Sequence, residues 1–551
     1  MLLSNIKFPL AKFPKSSDYN HFPFSNINSV GNKKLLSSGK MKVLYEGYTY
    51  FNSPCHPLEA ELHHQEFNAA ADTGIGILPF FQGKNILLTG ATGLLGKVLV
   101  EKILRSMSVG KIYLLIKAKD KEAAFTRLTN EITNSDLFKT LKEELGDSYE
   151  AMIREKLIPI AGNICEPNLG MDSQSIAQVR KDVDVIIQSA ASTVLNDRYD
   201  LLVDANMSAP QRLMRFAKTC NNLTLFAHIS TAYVSGKREG LIMEKPFIMG
   251  GNGREEEHCV ESALLDIVEE NNLILKSSSS SSTQHDLTKN LKRLAQDRAT
   301  EFGWHNSYHM TKAMGEMVLD EIRGDVPLLI IRPTVIESTY KDPLPGWIQG
   351  NRMFDPVIMA YGKGQLPGFF GNSQVIMDVI PVDMVANTTI AAIAKEGNMH
   401  RPQPQPSVYH VASSSTNPLL YSDFFEYLYH YFNSSPLIPS QKISRIKYFD
   451  NFQDLSEYTS NSINGDEKMT LKSKNQAKAK AAYANKLCKL YEFIGFFSAR
   501  FDTSNTEKLI EAMSKEESVS FEVNTRNIDW KKYFEEIHIP GLIKHMINDT
   551  M

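Results

Sequence analysis

A short apolar run, Asn85–Thr89 (NILLT), leads directly into Gly90-Ala91-Thr92-Gly93-Leu94-Leu95-Gly96 and then into a helical pattern. Three glycines at GxxGxxG spacing between a strand and a helix leave few folds open. Gly90 permits the tight strand-to-helix turn. Gly93 lets the backbone approach a pyrophosphate, and Gly96 allows the helix to pack closely on the strand. The free amides at the helix start then face phosphates. A lone glycine motif says little, but this one opens a βαβ unit, which is the context a dinucleotide site requires. Gly90, Thr92, Gly93, Leu94, Leu95 and Gly96 are therefore candidate cofactor contacts.

The second strand bears on which dinucleotide. An NAD site places a carboxylate there for the ribose 2′-hydroxyl. Lys111–Lys117 (KIYLLIK) instead ends in Lys117, followed by Ala118 and Lys119, with no acid before Asp120. A cation suits a 2′-phosphate, so NADPH is the expected cofactor. Exposed lysines at a strand end are the bland alternative.

The surrounding rhythm agrees. Leu157–Ala161, Val183–Gln188, Thr224–Ile229 and Leu328–Arg332 read as further buried strands, separated by amphipathic stretches such as Lys97–Arg105 and Ala209–Cys220. This predicts an α/β, Rossmann-like, doubly wound parallel sheet over residues 74–415. Ser277–Ser282, six serines in a row, predicts a flexible insertion at about 250–300. After about residue 415 the strand rhythm fades, and 416–551 is expected to be a mostly helical C-terminal domain.

Composition excludes several classes. The 551 residues carry 60 basic and 63 acidic side chains, a formal charge of −3, so nothing points to nucleic acid. The five cysteines are far apart with no CxxC pair, so no metal site or disulfide framework is expected. No apolar stretch reaches the length of a membrane span. The first 47 residues hold seven lysines and seven serines but only two acids, Asp18 and Glu46. That balance predicts a plastid transit peptide, with Met41 as an alternative start.

Tyr308-His309-Met310-Thr311-Lys312 places a phenol and an ammonium at i and i+4 on one helix face. A fixed cation favours phenolate, lowering a tyrosine pKa that is ordinarily near 10, and so readies it to exchange a proton with a carbonyl oxygen. A core tyrosine beside a surface lysine would produce the same letters. His228–Gly236 (HISTAYVSG) follows a strand, and either Ser230 or Thr231 there could hold a developing oxyanion or merely cap the turn.

Taken together these residues resemble the extended short-chain dehydrogenase/reductase superfamily. The longer strings GATGLLGK, KIYLLIKAKDKEAA, GNICEPNLG, STAYVSG, SYHMTKAMGEM and RPTVIESTYKDPLPGWIQGNRM resemble the plant alcohol-forming fatty acyl reductases. RFDTSNT and HIPGL near the end are similar to that family's helical male sterility domain. The resemblance covers about residues 74–551, and the N-terminal extension is similar to the plastid members, which act in pollen-wall formation. It implies two NADPH-dependent reductions of a long-chain acyl thioester, on CoA or acyl carrier protein and with C16 as the expected chain, through a thiohemiacetal and an aldehyde to a primary alcohol. It implies Tyr308 as proton donor, Lys312 as ribose ligand and depressor of the tyrosine pKa, and Thr231 as hydroxyl partner with Ser230 as a second donor. Lys117 would meet the 2′-phosphate, Gly162 and Asn163 the adenine, and Ser189 and Ala190 the cofactor-side turn. That turn departs from the family pattern at Gln188 and Ser192, where asparagines are usual.

Three rival readings remain open at this level. An epimerase or dehydrogenase of the same superfamily would share the glycine loop and the YxxxK pair. A non-enzymatic NADP sensor could dispense with the pair. A reductase could stop at the aldehyde.

Overall fold

The computed structural model describes residues 74–247, 265–399, 404–439, 441–464 and 471–548. The N-terminal targeting expectation and residues 248–264 lie outside them.

Seven parallel strands form the central sheet: β1 (Ile86–Thr89), β2 (Ile112–Lys117), β3 (Leu157–Gly162), β4 (Val185–Gln188), β5 (Leu225–Ile229), β7 (Leu328–Pro333) and β11 (Ser407–Val411). Their order is β11-β7-β5-β4-β1-β2-β3. The first six strands are those expected from the apolar runs, and β1, β4 and β5 are buried along their whole length, as befits strands covered on both faces. Three short parallel pairings lie outside the sheet: β6 (Leu241–Ile242) with β13 (Arg500–Phe501), β8 (Val335–Glu337) with β10 (Val379–Pro381), and β9 (Gly368–Phe370) with β12 (Lys447–Phe449).

The order reverses between β1 and β4, which pair with Thr89 opposite Gln188. At such a switch point the connections leave the sheet in opposite directions and open a crevice at the strand C-termini. Gly90 and the Ser189–Ala190 turn meet there. Gly90 has φ +78°, and a Cβ on it would sit 2.7 Å from the Ala190 amide nitrogen.

The serine run is not a flexible insertion. Ser277–Ser279 end a helix, Ile267–Ser279, and Thr283 caps the next, Gln284–Glu301, accepting from Asp286 N at 3.1 Å. The first three serines stay helical and Ser280–Ser282 make the short turn to the next helix; Ser278 Oγ donates back one turn to Ile274 O at 2.8 Å and Ser279 Oγ to Leu275 O at 2.9 Å. The hairpin is pinned to the body through buried Glu270, which accepts from Tyr199 Oη at 2.7 Å and pairs with Arg298.

The C-terminal segment is mostly helical, including Tyr421–Ser434, Phe452–Asn464, Leu471–Leu490 and Ser504–Ala512. It does not stand apart. β12 and β13 add to earlier strands, and one continuous apolar core runs from Ile77 to Leu542. Gly541 lies so close to Gly346 that a Cβ would meet Gly346 O at 2.0 Å.

Candidate active site

The glycine loop is built as its spacing demanded. Gly93 caps the helix Leu94–Ser106 with extended backbone and no side-chain cap, which leaves the first-turn amides without a partner from that residue. A Cβ on Gly96 would lie 2.2 Å from Gly90 O, so helix and strand touch through bare backbone. These features form a cradle that fits a dinucleotide pyrophosphate. Gln188 braces the facing turn: its Nε2 donates to Ala190 O at 2.5 Å, and its Oε1 lies 2.6 Å from His228 Nδ1. The departure from asparagine at this position thus keeps a polar brace.

A cavity of about 620 Å³ opens beside the loop. Its wall holds Gly90, Thr92, Gly93, Leu94, Leu95, Gly96, Ser189 and Ala190 together with Ser230, Thr231, Tyr308 and Lys312. Twelve sequence-predicted site residues are therefore brought together. Lys117, Gly162 and Asn163 are not in this wall. Lys117 and Gly162 pair across β2 and β3 at the same sheet edge, and Asn163 N, next in the chain, donates to Leu169 O at 2.7 Å.

The helix Ser307–Ile322 carries Tyr308 and Lys312. Asn306 caps it, its side chain accepting from His309 N at 2.9 Å. Gly315 lets Asn206 O approach so closely that a Cβ would sit 2.3 Å away. Lys312 is 1 % exposed, and its Nζ donates to Ile229 O at 2.6 Å. Burial pulls its ammonium down to about 8, against a smaller opposing pull from Glu316. Glu316 is itself paired with Arg332, Nε to Oε1 at 3.0 Å.

Tyr308 is partly open to the cavity, yet burial pushes its phenol up to about 12. This direction is opposite to the depression expected from a neighbouring cation. Lys312 spends its charge on the Ile229 carbonyl, and desolvation sets the phenol. The result is a tyrosine that holds its proton at neutral pH, the form a proton donor needs.

The two candidate hydroxyls separate. Thr231 Oγ1 accepts from Tyr233 N at 3.4 Å and donates to Pro333 O at 3.4 Å, so it caps the turn Ala232–Ser235. Ser230 Oγ is buried in the cavity wall without a hydrogen-bond partner among the described residues. Ser230 is the free donor.

Sequence reasoning missed part of the wall. His309 stacks on Tyr233 with ring centroids 5.4 Å apart, and burial holds it well below the ordinary histidine range. Arg352, Met353 and Phe354 enter from the turn before the helix Asp355–Gly362. Leu490, Tyr491, Phe493 and Ile494 bring the C-terminal segment to within reach of the same space. Behind this wall Glu337, Asp355 and His538 converge, each fully buried, with His538 Nε2 3.3 Å from Asp355 Oδ1 and Nδ1 2.9 Å from Ser338 Oγ. No spacing in the sequence signals that cluster.

Two family models, both described as male sterility protein, match residues 88–389 and 468–549; the first is of the NAD-binding type. Over 492 residues the chain is 46% identical to a fatty acyl-CoA reductase 2, chloroplastic, of Arabidopsis thaliana, spanning 86% of this chain and 80% of that one. It is 37% identical to an alcohol-forming fatty acyl-CoA reductase of Simmondsia chinensis over 86% of this chain and 99% of that one. The chain belongs to the male sterility family of fatty acyl-CoA reductases. Its fold is shared with the terminal R domain of the myxalamid biosynthetic pathway, at TM-score 0.54 and 15% identity over 88% of this chain and 97% of that one. A nonribosomal peptide synthetase R domain from Mycobacterium tuberculosis matches at TM-score 0.51 and 17% identity, over 88% of this chain and 96% of that one. The family and the cradle agree on a nicotinamide dinucleotide as cofactor. Among the described residues no helix is long and apolar enough to cross a membrane.

Proposed function

We propose that this chain reduces a long-chain fatty acyl thioester to a primary alcohol, using two NADPH per turnover, in a plastid. The observation that carries the reading is the meeting of Tyr308, Lys312 and a Ser230 hydroxyl unpaired among the described residues with the glycine loop in one cavity, whose wall also includes the apolar side chains Leu490, Tyr491, Phe493 and Ile494. Lys117 supports NADPH over NADH, and the lysine- and serine-rich N-terminus together with the chloroplastic relative supports the plastid.

The bound nicotinamide supplies hydride to the carbonyl carbon in each of two reductions. The chain's own residues manage the oxygen. Ser230 Oγ donates to it as negative charge develops, and Tyr308 Oη delivers the proton. Lys312 holds the nicotinamide ribose. The thiohemiacetal then expels the thiol, and the aldehyde left behind presents the same carbonyl geometry to the same donor pair. Balance requires two NADPH and two protons per thioester, giving one alcohol, one thiol and two NADP⁺.

The full chain, supplied with NADPH and palmitoyl thioesters of CoA and of acyl carrier protein, should consume two NADPH per hexadecanol formed. The faster thioester identifies the carrier. One NADPH with free aldehyde would end the sequence halfway. A folded, NADPH-binding protein that turned over neither thioester would overturn the reading in favour of a dehydrogenase or epimerase.

A further inference from the structure

Two cationic side chains line the cavity, Lys312 and Arg352. Lys312 is committed to Ile229 O at 2.6 Å. Arg352 makes no hydrogen bond or close ion pair among the described residues, although Glu337 and Asp355 lie near enough to act on its charge, and its Nε is sealed from solvent. Arg352 is half-buried, and a partly desolvated guanidinium without a hydrogen-bond partner carries a cost that an anion completing it would relieve.

The turn that presents Arg352 is held from three sides. Arg352 N donates to Asp355 Oδ2 at 2.9 Å, Phe354 N donates to Glu337 Oε1 at 3.0 Å, and the Tyr491 hydroxyl donates to Met353 O. Between them Met353 is forced to φ +46°, a left-handed conformation that non-glycine residues avoid. Such strain persists only where surrounding contacts fix it, and it clusters at ligand sites. Glu337 and Asp355 lie near enough to favour the guanidinium's charge, against the burial that opposes it. The turn sits at the cavity mouth, since Met353 is 38% and Leu490 51% exposed and both line the cavity.

The ligand's chemistry follows from what is already placed. The dinucleotide's pyrophosphate has the glycine loop. The acyl chain and the thioester are neutral. With the thioester at Tyr308, the anion that reaches toward the mouth is the phosphate of the arm carrying the acyl group. We propose that Arg352 binds the phosphate of the pantetheine arm, the chemistry common to coenzyme A and to a carrier protein. The planar guanidinium matches a phosphate through two parallel hydrogen bonds. This assignment rests on the thioester reading above.

The test compares palmitoyl-CoA with palmitoyl-pantetheine, which lacks the phosphate, on the full-length wild type, Arg352→Gln and Arg352→Lys, with NADPH oxidation as readout. Arg352→Gln should raise KM for palmitoyl-CoA by about tenfold or more, the loss expected for one charge-assisted contact, with kcat little changed. KM for palmitoyl-pantetheine and for NADPH should stay at the wild-type values, and Arg352→Lys should fall between. A mutation-free arm guards against misfolding: phosphopantetheine should inhibit the wild type more tightly than pantetheine. Equal KM increases for both thioesters would mean a structural role and overturn the proposal. So would a raised KM for NADPH, which would assign the arginine to the cofactor, or equal inhibition by the two arms. A wild type that turned over neither thioester would refute the thioester reading itself, whereas one that turned over both with equal KM would refute only the arginine's role.

Discussion

Lys312→Met should inactivate the enzyme while leaving its fold no weaker, or slightly firmer, at neutral pH. Lys312 is 1 % exposed, and burial lowers its ammonium from 10.5 to about 8. The unfolded chain keeps the ordinary affinity. Between about pH 8 and 10.5 the unfolded state therefore binds more protons, and stability rises with pH across that window. Below about pH 8 the full penalty is present. The difference, 10.5 − 8, converts at 1.36 kcal/mol per unit to about 3 kcal/mol. Methionine removes that penalty but leaves Ile229 O without its 2.6 Å donor, a loss of about 1–3 kcal/mol. The net gain at pH 7 is about 0–2 kcal/mol by the same two terms. Above about pH 10.5 the wild-type penalty has gone and only the lost hydrogen bond remains, so the order reverses. Urea unfolding of both full-length proteins without cofactor, at pH 7 and near pH 10.5, reads the crossover directly. A variant that was the less stable of the two by the same margin at both pH values would refute the argument, because the ammonium would then not be the buried, titrating group.

Tyr308→Phe should lower kcat by about 10²–10⁴-fold with NADPH affinity intact, and the wild-type rate should fall above about pH 8, where Lys312 loses its proton, since Tyr308 stays protonated to about 12. Steady-state kinetics across pH check both, and an alkaline limb absent from the profile would remove Lys312's charge from the mechanism. Ser230→Ala should lower kcat by about 10²–10³-fold at unchanged thermal midpoint, whereas Thr231→Ala should lower the midpoint, because Thr231 caps a turn and Ser230 caps nothing. The reverse pattern in kinetics and melting would restore Thr231 as the oxyanion donor. Gly96→Ala places a Cβ 2.2 Å from Gly90 O, where no rotamer gives relief, and should abolish NADPH binding in a fluorescence titration.

The glycine loop was legible because its chemistry is backbone chemistry. Gly90 and Gly96 are demanded by approaches of 2.7 and 2.2 Å that any Cβ would block, and such demands surface as residue identity. The strands that open the sheet were legible for a similar reason, their unbroken apolar runs. β11 was not, because Ser407-Val408-Tyr409-His410-Val411 mixes polar and apolar residues and becomes a strand only by pairing with β7. The serine run misled because serine composition marks linkers on average, while Ser278 and Ser279 here each find a carbonyl one turn back and extend a helix. Tyr308 shows the sharper limit. Its i, i+4 lysine was visible, but the direction of its pKa was not, since spacing reports which charges are near and not how much water is gone.

The C-terminal wall shows why that limit falls at the substrate rather than the cofactor. Tyr491–Phe497 (YEFIGFF) announces burial through its aromatic residues, yet nothing in the run says against what. Tyr491 reaches Met353, Phe493 packs 5.2 Å from His309, and Phe497 packs 5.4 Å from Tyr233. Each partner lies far away in the chain, and each contact tolerates many apolar pairs. A dinucleotide loop must meet one fixed ligand, so its constraints are local and written in single residues. An acyl pocket must exclude water along a flexible chain, so its constraint is a summed apolar area that many sequences supply. Within such a wall the informative residue is the one that breaks the rule. Arg352 is a charge in a wall shared with Phe354, Tyr491 and Phe493, held by a strained turn and without a hydrogen-bond partner among the described residues. A wall selected only for apolar area would have no use for it.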